Sequence, residues 1–317
     1  MNAGDKEVHV TLSAPGNGWN RIGHLIVNGM SGYAMPFHKS STVAMVSGDP
    51  GVLCMEAPKR VGDGMYDMAF TTPAWWARAA MEGKAAFNTG AELRAIINLP
   101  HNDRLGFALR KDVGISSFEE IRDKRPPLRL VVSPPGTMHP GGWGAEKVLE
   151  AYGFSLKDIE SWGGQVKWQD RQYDKVDQLI RGDIDGIFDE AIMTWAGAGE
   201  HVPIQYLGLS QDVQAALQEN HGMPPAFIEA GRFPGVDEDV PAIDYRGHLV
   251  FCRSDLPDEV AYYAVRAFDR AQEKINSFAP SGRFHEDPLD LHRACQDTEI
   301  PLHPGAEAYY REHGYLA

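Results

Sequence analysis

The feature that constrains this chain most is the regular alternation of short apolar segments with segments of helical periodicity. Strand-like segments such as VHVTLSA, STVAMVSG, YDMAFTTP and LRAIINLP are separated by helical ones such as AWWARAAMEG. The alternation continues through LGFALRK, LRLVVSPPG, QVKWQ, IDGIFDE and IQYLGLS. Strands that alternate with helices favour right-handed crossovers and mostly parallel sheets. The sequence therefore predicts an α/β protein.

The number of strand-like segments indicates two lobes. About ten strands are more than one sheet of ordinary size needs, so we expect two mostly parallel sheets, each flanked by helices. The extended segments LPHNDRLGFALRKDVG and DEDVPAIDYRGHLVFCRSD are the candidate crossings of a two-segment hinge. This predicts lobe I from residues 1–108 and 248–317, and lobe II from residues 109–247.

Composition excludes several classes of partner. The chain has 317 residues, of which 43% are hydrophobic, enough for a buried core. Its 44 acidic residues outnumber 30 Lys and Arg, and the net charge of −14 argues against nucleic acid and against an anionic membrane surface. No apolar stretch is long enough to span a bilayer. The first residues lack the apolar region of a secretion signal, so either such a signal was removed or the protein is cytoplasmic.

Two turns rich in glycine and proline follow predicted strands and precede predicted helices. They are SAPGNGWNRIGHLI and VVSPPGTMHPGGWG. Such a helix start offers unpaired N–H donors and a partial positive charge, which suit an anion, above all a carboxylate. A tight turn without a ligand is the equally open alternative for each. The candidate binding residues in the two turns are Gly16, Asn17, Gly18, Trp19, Gly136, Thr137, Met138 and His139.

Two other strand ends carry polar side chains. Thr71 and Thr72 end the segment FTTPAWW, and Asp189 and Glu190 end IFDEAIMTW. The two acids could bind an ammonium group, act as acid and base, or cap the next helix, and capping is the commoner use of Asp there. We expect all four residues at the edge of the ligand cleft.

Metal and thiol chemistry have little support. None of the twelve histidines shows HExxH or close paired spacing, so no metal is expected. His101 and His139 lie in turns near the predicted cleft and are ligand-binding candidates, with a surface histidine as the alternative for each.

Cys54, Cys252 and Cys295 have no CxxC spacing. A Cys252–Cys295 disulfide is possible in an oxidising compartment, but isolated reduced thiols are favoured.

Four segments together resemble a known family. RPPLRLVVSPPGTMHPGGWGAEKVLEAYG is similar to the segment in which TAXI-type solute-binding proteins of TRAP transporters have a strand and a Gly/Pro-rich turn. KVDQLIRGDIDGIFDEAI, FPGVDEDVPAIDYRGHLVFCRSDLPDEVAYYAV and IPLHPGAEAYYREHG continue the likeness in the same order. The four segments extend over most of the chain.

This resemblance implies a two-lobed, periplasmic protein that captures a small organic acid in a cleft between its lobes and presents it to TRAP permease subunits. It implies no redox or metal cofactor. The implied ligand contacts come from Gly16 to Trp19, Thr71 and Thr72, and Gly136 to His139, with Asp189 and Glu190 contributing. Because these two acids and His139 depart from the family's pattern, we expect a ligand that also carries a donor group such as an ammonium or a hydroxyl.

A cytoplasmic enzyme is the alternative on the same fold. Some proteins of this architecture are lyases or decarboxylases that act on aromatic or cyclic carboxylic acids, and fold alone does not decide function. In such an enzyme Asp189, Glu190, His139 or His101 would move protons. Binding without turnover is the favoured interpretation, on the resemblance alone.

Overall fold

A computed structural model of the protein describes residues 6–16, 18–31, 36–169, 172–278 and 287–317. The chain forms two compact units. The first unit contains the described residues up to His101 and those from Gly247 onward, and the second contains Asn102–Arg246. The lobe boundaries at residues 108/109 and 247/248 stay a prediction.

Twelve strands form within the described ranges. They are β1 (His9–Ser13), β2 (Thr42–Val46), β3 (Met68–Thr71), β4 (Leu93–Leu99), β5 (Arg104–Arg110), β6 (Arg129–Val132), β7 (Gln165–Trp168), β8 (Gly186–Asp189), β9 (Ile204–Tyr206), β10 (Pro225–Ile228), β11 (Val240–Asp244) and β12 (His248–Arg253).

The α-helices of the same ranges lie between and after these strands. They are α1 (Gly18–Gly29), α2 (Pro50–Gly62), α3 (Trp75–Glu82), α4 (Phe118–Lys124), α5 (Pro140–Ala151), α6 (Leu156–Ser161), α7 (Gln172–Arg181), α8 (Ile192–Trp195), α9 (Gln211–His221), α10 (Asp258–Asn276), α11 (Leu291–Ala294) and α12 (Pro304–Glu312). None of the helices that the structure describes is long and apolar enough to cross a bilayer.

The first unit contains a five-stranded sheet in the order β2-β1-β3-β12-β4. β1 pairs in parallel with β2 and β3, whereas β12 runs antiparallel between β3 and β4. This reversal places the start of β12 and the end of β4 beside the carboxyl ends of β1, β2 and β3. We call this side of the sheet the first-unit edge.

The second unit contains a seven-stranded sheet in the order β10-β11-β5-β8-β6-β7, with β9 paired to β5. β6 pairs in parallel with β7 and β8, and the remaining pairs are antiparallel. The carboxyl ends of β6, β7 and β8 therefore lie beside the start of β5. We call this side the second-unit edge.

The α/β class with two sheets flanked by helices is confirmed, but the expectation of mostly parallel sheets is wrong. Both sheets are mixed, because β12 in one and β5 in the other run against their parallel neighbours. Strand β10 was not predicted, and β11 and β12 were read together as a crossing segment. Pro225 and Pro241 interrupt that part of the pattern, and Pro225 is tolerated because it begins a strand at the sheet's end.

Each unit has its own apolar core. In the first unit, α10 presents Val260, Ala264 and Phe268 at a spacing of four residues to the sheet, as an amphipathic helix requires. The buried Tyr310 of α12 donates its hydroxyl to the carbonyl of Ile96 at 2.9 Å. In the second unit, the Phe107 ring lies 5.0 Å from its buried aromatic neighbours, and this contact ties β5 to α4 and β8.

We expect Gly186→Ala to lower the free energy of unfolding by about 1–3 kcal/mol, the usual cost of overpacking a core. A Cβ at Gly186 would lie 2.6 Å from the carbonyl oxygen of Ala108 in the neighbouring strand. Urea unfolding measures the change. The control is Gly197→Ala, where an added Cβ meets nothing within 4 Å. Equal midpoints for the two variants would contradict the close packing of β5 on β8.

Candidate functional site

The threonines at the end of β3 have structural partners. The hydroxyl of Thr71 donates to the carbonyl of Cys54 at 3.0 Å, and that of Thr72 donates to the carbonyl of Gly247 at 3.0 Å. Both side chains are buried. The expectation that these hydroxyls face a ligand is therefore wrong in this structure, since each one ties β3 to a neighbouring segment. The adjacent Trp75 and Trp76 are also buried in the core.

Three half-buried rings lie together at the first-unit edge. The indole N–H of Trp19 donates to Nδ1 of His248 at 3.1 Å. The rings of His101 and His248 stack with centroids 3.9 Å apart and an interplanar angle of 24°. Burial, and secondarily the charge of His101, lowers the pKa of His248 well below 6.5. Trp19 and His101 are predicted site residues, whereas His248 was missed because nothing local marks the start of β12 as part of a site.

Asp189, at the second-unit edge, is held by a lysine of its own chain. Its Oδ2 accepts from Nζ of Lys175, and its Oδ1 accepts from the backbone N–H of Glu190 at 2.9 Å. Both members of the ion pair are fully buried. The expectation that Asp189 faces a ligand is therefore wrong: the ammonium group it binds belongs to Lys175. Sequence reasoning missed Lys175 because its helix, α7, reads as a solvated, polar one.

The turn after β8 is organised by a third acid. The carboxylate of Asp103 accepts from the backbone N–H groups of Ala191 and Ile192, the latter at 3.1 Å. It thereby caps α8, the role expected of Asp189 or Glu190. Ala191 has a φ of 55°, which this pair of hydrogen bonds holds in place. The carboxylate of Glu190 lies 3.9 Å from Nε2 of His139.

The glycine-rich turn before α5 is partly sealed by protein side chains. The N–H of Gly136 donates to the carboxylate of Glu146 at 3.0 Å, and the N–H of Gly141 donates to Nδ1 of His139 at 3.1 Å. The expectation of unpaired amides is therefore wrong at these two positions. Thr137 and Met138 are exposed, and the hydroxyl of Thr137 has no partner among the residues that the structure describes.

The tripeptide His-Pro-Gly occurs twice and has one structural role in both places. His139 precedes α5 and His303 precedes α12, and in each case Nδ1 accepts from the glycine N–H two residues later. Proline then occupies the first helical position, where a missing N–H costs nothing. This repeat explains His139 locally as a helix cap, and its signal was present in the sequence.

A second repeat, Ser-x-Pro-Gly, marks the strand ends that precede α1 and α5. Ser13 ends β1 in the first unit, and Ser133 follows β6 in the second. Both side chains are fully buried, and neither hydroxyl has a hydrogen-bond partner among the described residues. An unpaired buried hydroxyl costs about 1–3 kcal/mol. Two of them at matching positions therefore mark both turns as candidate ligand sites. Sequence reasoning found the two turns but not these serines.

The helices after the two Ser-x-Pro-Gly turns begin without an acidic residue. Neither α1 nor α5 has an acidic residue in its first turn. The same is true of α2, α3, α8 and α11, whereas the other six α-helices that the structure describes carry at least one acid there. An acid at this position offsets the positive end of the helix dipole. The first turns of α1 and α5 therefore supply no such compensation themselves, although the start of α5 lies beside the carboxylates of Glu146 and Glu190. Gly16 ends the Ser-x-Pro-Gly turn of the first unit, and Gly18 begins α1. Asn17, between them, lies outside the described residues.

A groove of about 470 Å³ opens in the second unit at the opposite side of its sheet. Its charged groups form two ion pairs, Arg110 with Asp112 and Arg129 with Asp185. Because each guanidinium is neutralised by its own carboxylate, the groove offers an anion no net charge. The strand-end residues described above are the better candidate site.

We expect Lys175→Met to lower the free energy of unfolding by about 3–5 kcal/mol, because it leaves the carboxylate of Asp189 buried without a counterion. Chemical unfolding measures the loss. The matched control is Lys124→Met, which removes an exposed lysine that pairs with Glu120 and is expected to change stability little. The double variant Lys175→Met with Asp189→Leu should recover most of the loss. A small effect of Lys175→Met alone would contradict a buried ion pair.

Stability should fall in mild acid partly through His303. Burial lowers the pKa of His303 from 6.5, against the weaker opposing effect of Asp258. The folded protein then binds fewer protons here than the unfolded chain, so the stability is complete above about pH 6.5 and is lost as the pH falls. We expect His303→Asn, which retains a capping side chain, to lose less free energy of unfolding than wild type between about pH 7 and pH 5. Equal losses in urea titrations would contradict this assignment.

Several solved structures are similar to this chain at low identity. A Xanthomonas citri protein bound to ATP is 10% identical, with 98% of this chain and 100% of that chain covered and a TM-score of 0.49. PhnD1 from Prochlorococcus marinus, in complex with methylphosphonate, is 10% identical, with coverage of 98% and 99% and a TM-score of 0.44. A putative periplasmic sulfonate-binding protein, SsuA from Methylobacillus flagellatus, is 12% identical, with coverage of 98% and 88% and a TM-score of 0.42.

A family model gives a match over most of the sequence. It is described as the NMT1-like family, and it matches residues 55–314. The matched range includes β3 to β12 and extends beyond α12. The chain belongs to the NMT1-like family.

Proposed function

We propose that this chain is a solute-binding protein of the TAXI type, which binds a small organic acid and delivers it to TRAP permease subunits. Family membership over residues 55–314 supports a role of this general kind. The four ordered segments that resemble TAXI proteins support the finer assignment. On this proposal the protein acts in the periplasm and its ligand is a carboxylate.

The observation that carries the proposal is the pair of Ser-x-Pro-Gly turns. Each turn follows a parallel strand, ends in a helix start that lacks an acidic first-turn residue, and begins with a buried hydroxyl that no described residue satisfies. Binding a carboxylate at such a helix start offsets the positive end of the dipole. The unsatisfied hydroxyls of Ser13 and Ser133, at matching positions in the two units, are the part of this arrangement that favours a ligand.

The binding contacts follow from what remains accessible at the two edges. In the first unit they are the backbone at Gly16 and Gly18 and the side chain of Trp19. In the second unit they are the hydroxyl of Thr137 and the exposed residue Met138. Glycine at these turns lets a ligand approach the backbone closely.

The remaining predicted contacts are less suited to the role. Thr71, Thr72 and Asp189 are committed to structural hydrogen bonds, and we propose no direct ligand contact for them. Glu190 stays in the proposed binding set, because a donor group of the ligand would find an acceptor in its carboxylate. His101 stays in the set because its partly exposed ring lies at the first-unit edge.

Two of the four residues proposed for the enzyme alternative have structural partners in this structure. A lyase or decarboxylase needs groups that can gain and lose protons during turnover. Asp189 is neutralised by Lys175, and Nδ1 of His139 accepts from a backbone amide. Asp189 is therefore unavailable as an acid or a base, and His139 is unavailable through Nδ1.

We expect a carboxylate from a panel of aliphatic, amino and aromatic acids, with sulfonates and phosphonates included, to raise the melting temperature of the protein. Thr137→Ala should weaken binding of that acid about ten-fold, as the loss of a hydrogen bond to a charged group predicts. Isothermal titration calorimetry measures the dissociation constant, and the melting temperature of the unliganded variant should not change.

The control is Thr89→Ala, an exposed threonine of the first unit that lies away from the proposed contacts. It should bind like wild type. If no acid of the panel shifts the melting temperature, the proposed function is wrong. If only sulfonates or phosphonates do, the carboxylate assignment is wrong while solute binding stands.

A further inference from the structure

His248 occupies a position that the fold defines narrowly. It is the first residue of β12, opposite Leu99 in β4, and the following residue pairs with Thr71 in β3. Gly247, with a φ of 83°, leads the chain into this position, and its N–H donates to the carbonyl of His101 at 2.8 Å. A Cβ at Gly247 would lie 2.5 Å from Oδ1 of Asn98. The backbone therefore fixes where His248 and His101 lie at the first-unit edge.

The hydrogen bond from Trp19 fixes the tautomer of His248. An indole N–H only donates, so Nδ1 of His248 must carry a lone pair and its proton must reside on Nε2. No described residue accepts a hydrogen bond from that Nε2–H. Because the pKa of His248 lies well below 6.5, the ring is neutral near pH 7. His248 therefore presents an oriented, uncharged donor.

The rings around this donor form an aromatic cluster at the first-unit edge. Trp19 stacks on the buried Phe70 with centroids 6.3 Å apart and an interplanar angle of 12°. It meets His248 edge-on at 5.0 Å, and the ring of His101 covers one face of His248. Trp19, His101 and His248 all remain partly exposed. A planar aromatic ligand gains binding free energy from such ring contacts beyond the area that it buries.

We propose that His248 donates its Nε2–H to an oxygen of the bound acid, and that Trp19, His101 and His248 select acids whose carboxylate is attached to a planar, aromatic ring. This inference rests on the proposed function, whose ligand class it narrows from organic acids in general to aromatic carboxylates. It adds His248 to the binding residues, a position that the sequence did not reveal.

Two acids of similar size separate ring recognition from carboxylate recognition. Benzoate is planar and aromatic, whereas cyclohexanecarboxylate has a saturated, puckered ring. We expect wild type to bind benzoate about five-fold more tightly, the ratio that corresponds to one ring contact of about 1 kcal/mol. Calorimetric titration of both acids at about pH 7 measures the ratio.

Two substitutions at His248 divide its roles. His248→Phe retains an aromatic ring but has no donor, so both acids should bind about ten-fold more weakly with their ratio preserved. His248→Gln retains an N–H near the Nε2 position but has no ring, so the preference for benzoate should disappear. The control is His9→Gln, an exposed histidine on β1, which should bind both acids like wild type.

A spectroscopic measurement on the unaltered protein covers the case in which a variant does not fold. In 15N-labelled wild type, the Nε2–H signal of His248 should shift downfield when benzoate is added. An unchanged signal with benzoate bound, or wild-type affinities in both variants, overturns the inference. Equal affinity of wild type for the two acids, or binding of neither while another acid of the panel binds, overturns the aromatic preference and leaves the proposed function standing. Failure of the whole panel removes the proposed function itself.

Discussion

The first unit depends on the insertion of β12, antiparallel, between β3 and β4. This strand brings chain from beyond residue 247 into a sheet whose other members lie within the first hundred residues. Its ladder buries Leu249, Val250 and Phe251 while satisfying the backbone groups of both neighbours. Contacts of such high sequence separation slow folding, because closing the intervening loop costs conformational entropy. The position of His248 at the first-unit edge is a direct product of this ladder.

The sequence predicts the fold class well and the strand directions poorly. Alternation of apolar segments locates β1 to β9, because each is a short apolar run bounded by turn residues. It carries no information about pairing, which depends on how the later strands return. The antiparallel directions of β12 and β5 were therefore not predicted. β10 and β11 were missed because Pro225 and Pro241 interrupt their strand patterns. Pattern reveals elements, whereas tertiary packing decides their neighbours.

The candidate site shows the same division. The turns at Gly16 and Gly136 were found because a glycine-rich turn between strand and helix is a local signal. Whether an amide in such a turn is free depends on distant side chains, and Glu146 occupies the one at Gly136. Asp189 was misread for a similar reason, since its partner Lys175 lies in another helix with no marked pattern. His139 is the exception, because comparison with the second His-Pro-Gly at residues 303–305 would have identified it as a cap.

None of the three cysteines, Cys54, Cys252 and Cys295, forms a disulfide in this structure, and all three are buried. Burial raises the pKa of Cys252 and, to a lesser degree, that of Cys295, so neither supplies the thiolate on which oxidation and thiol exchange depend. In the folded protein the thiols of Cys252 and Cys295 therefore react little, even in oxidising surroundings. The same groups become reactive whenever the chain opens, so the lifetime of the protein in such a compartment depends on how seldom its first unit unfolds.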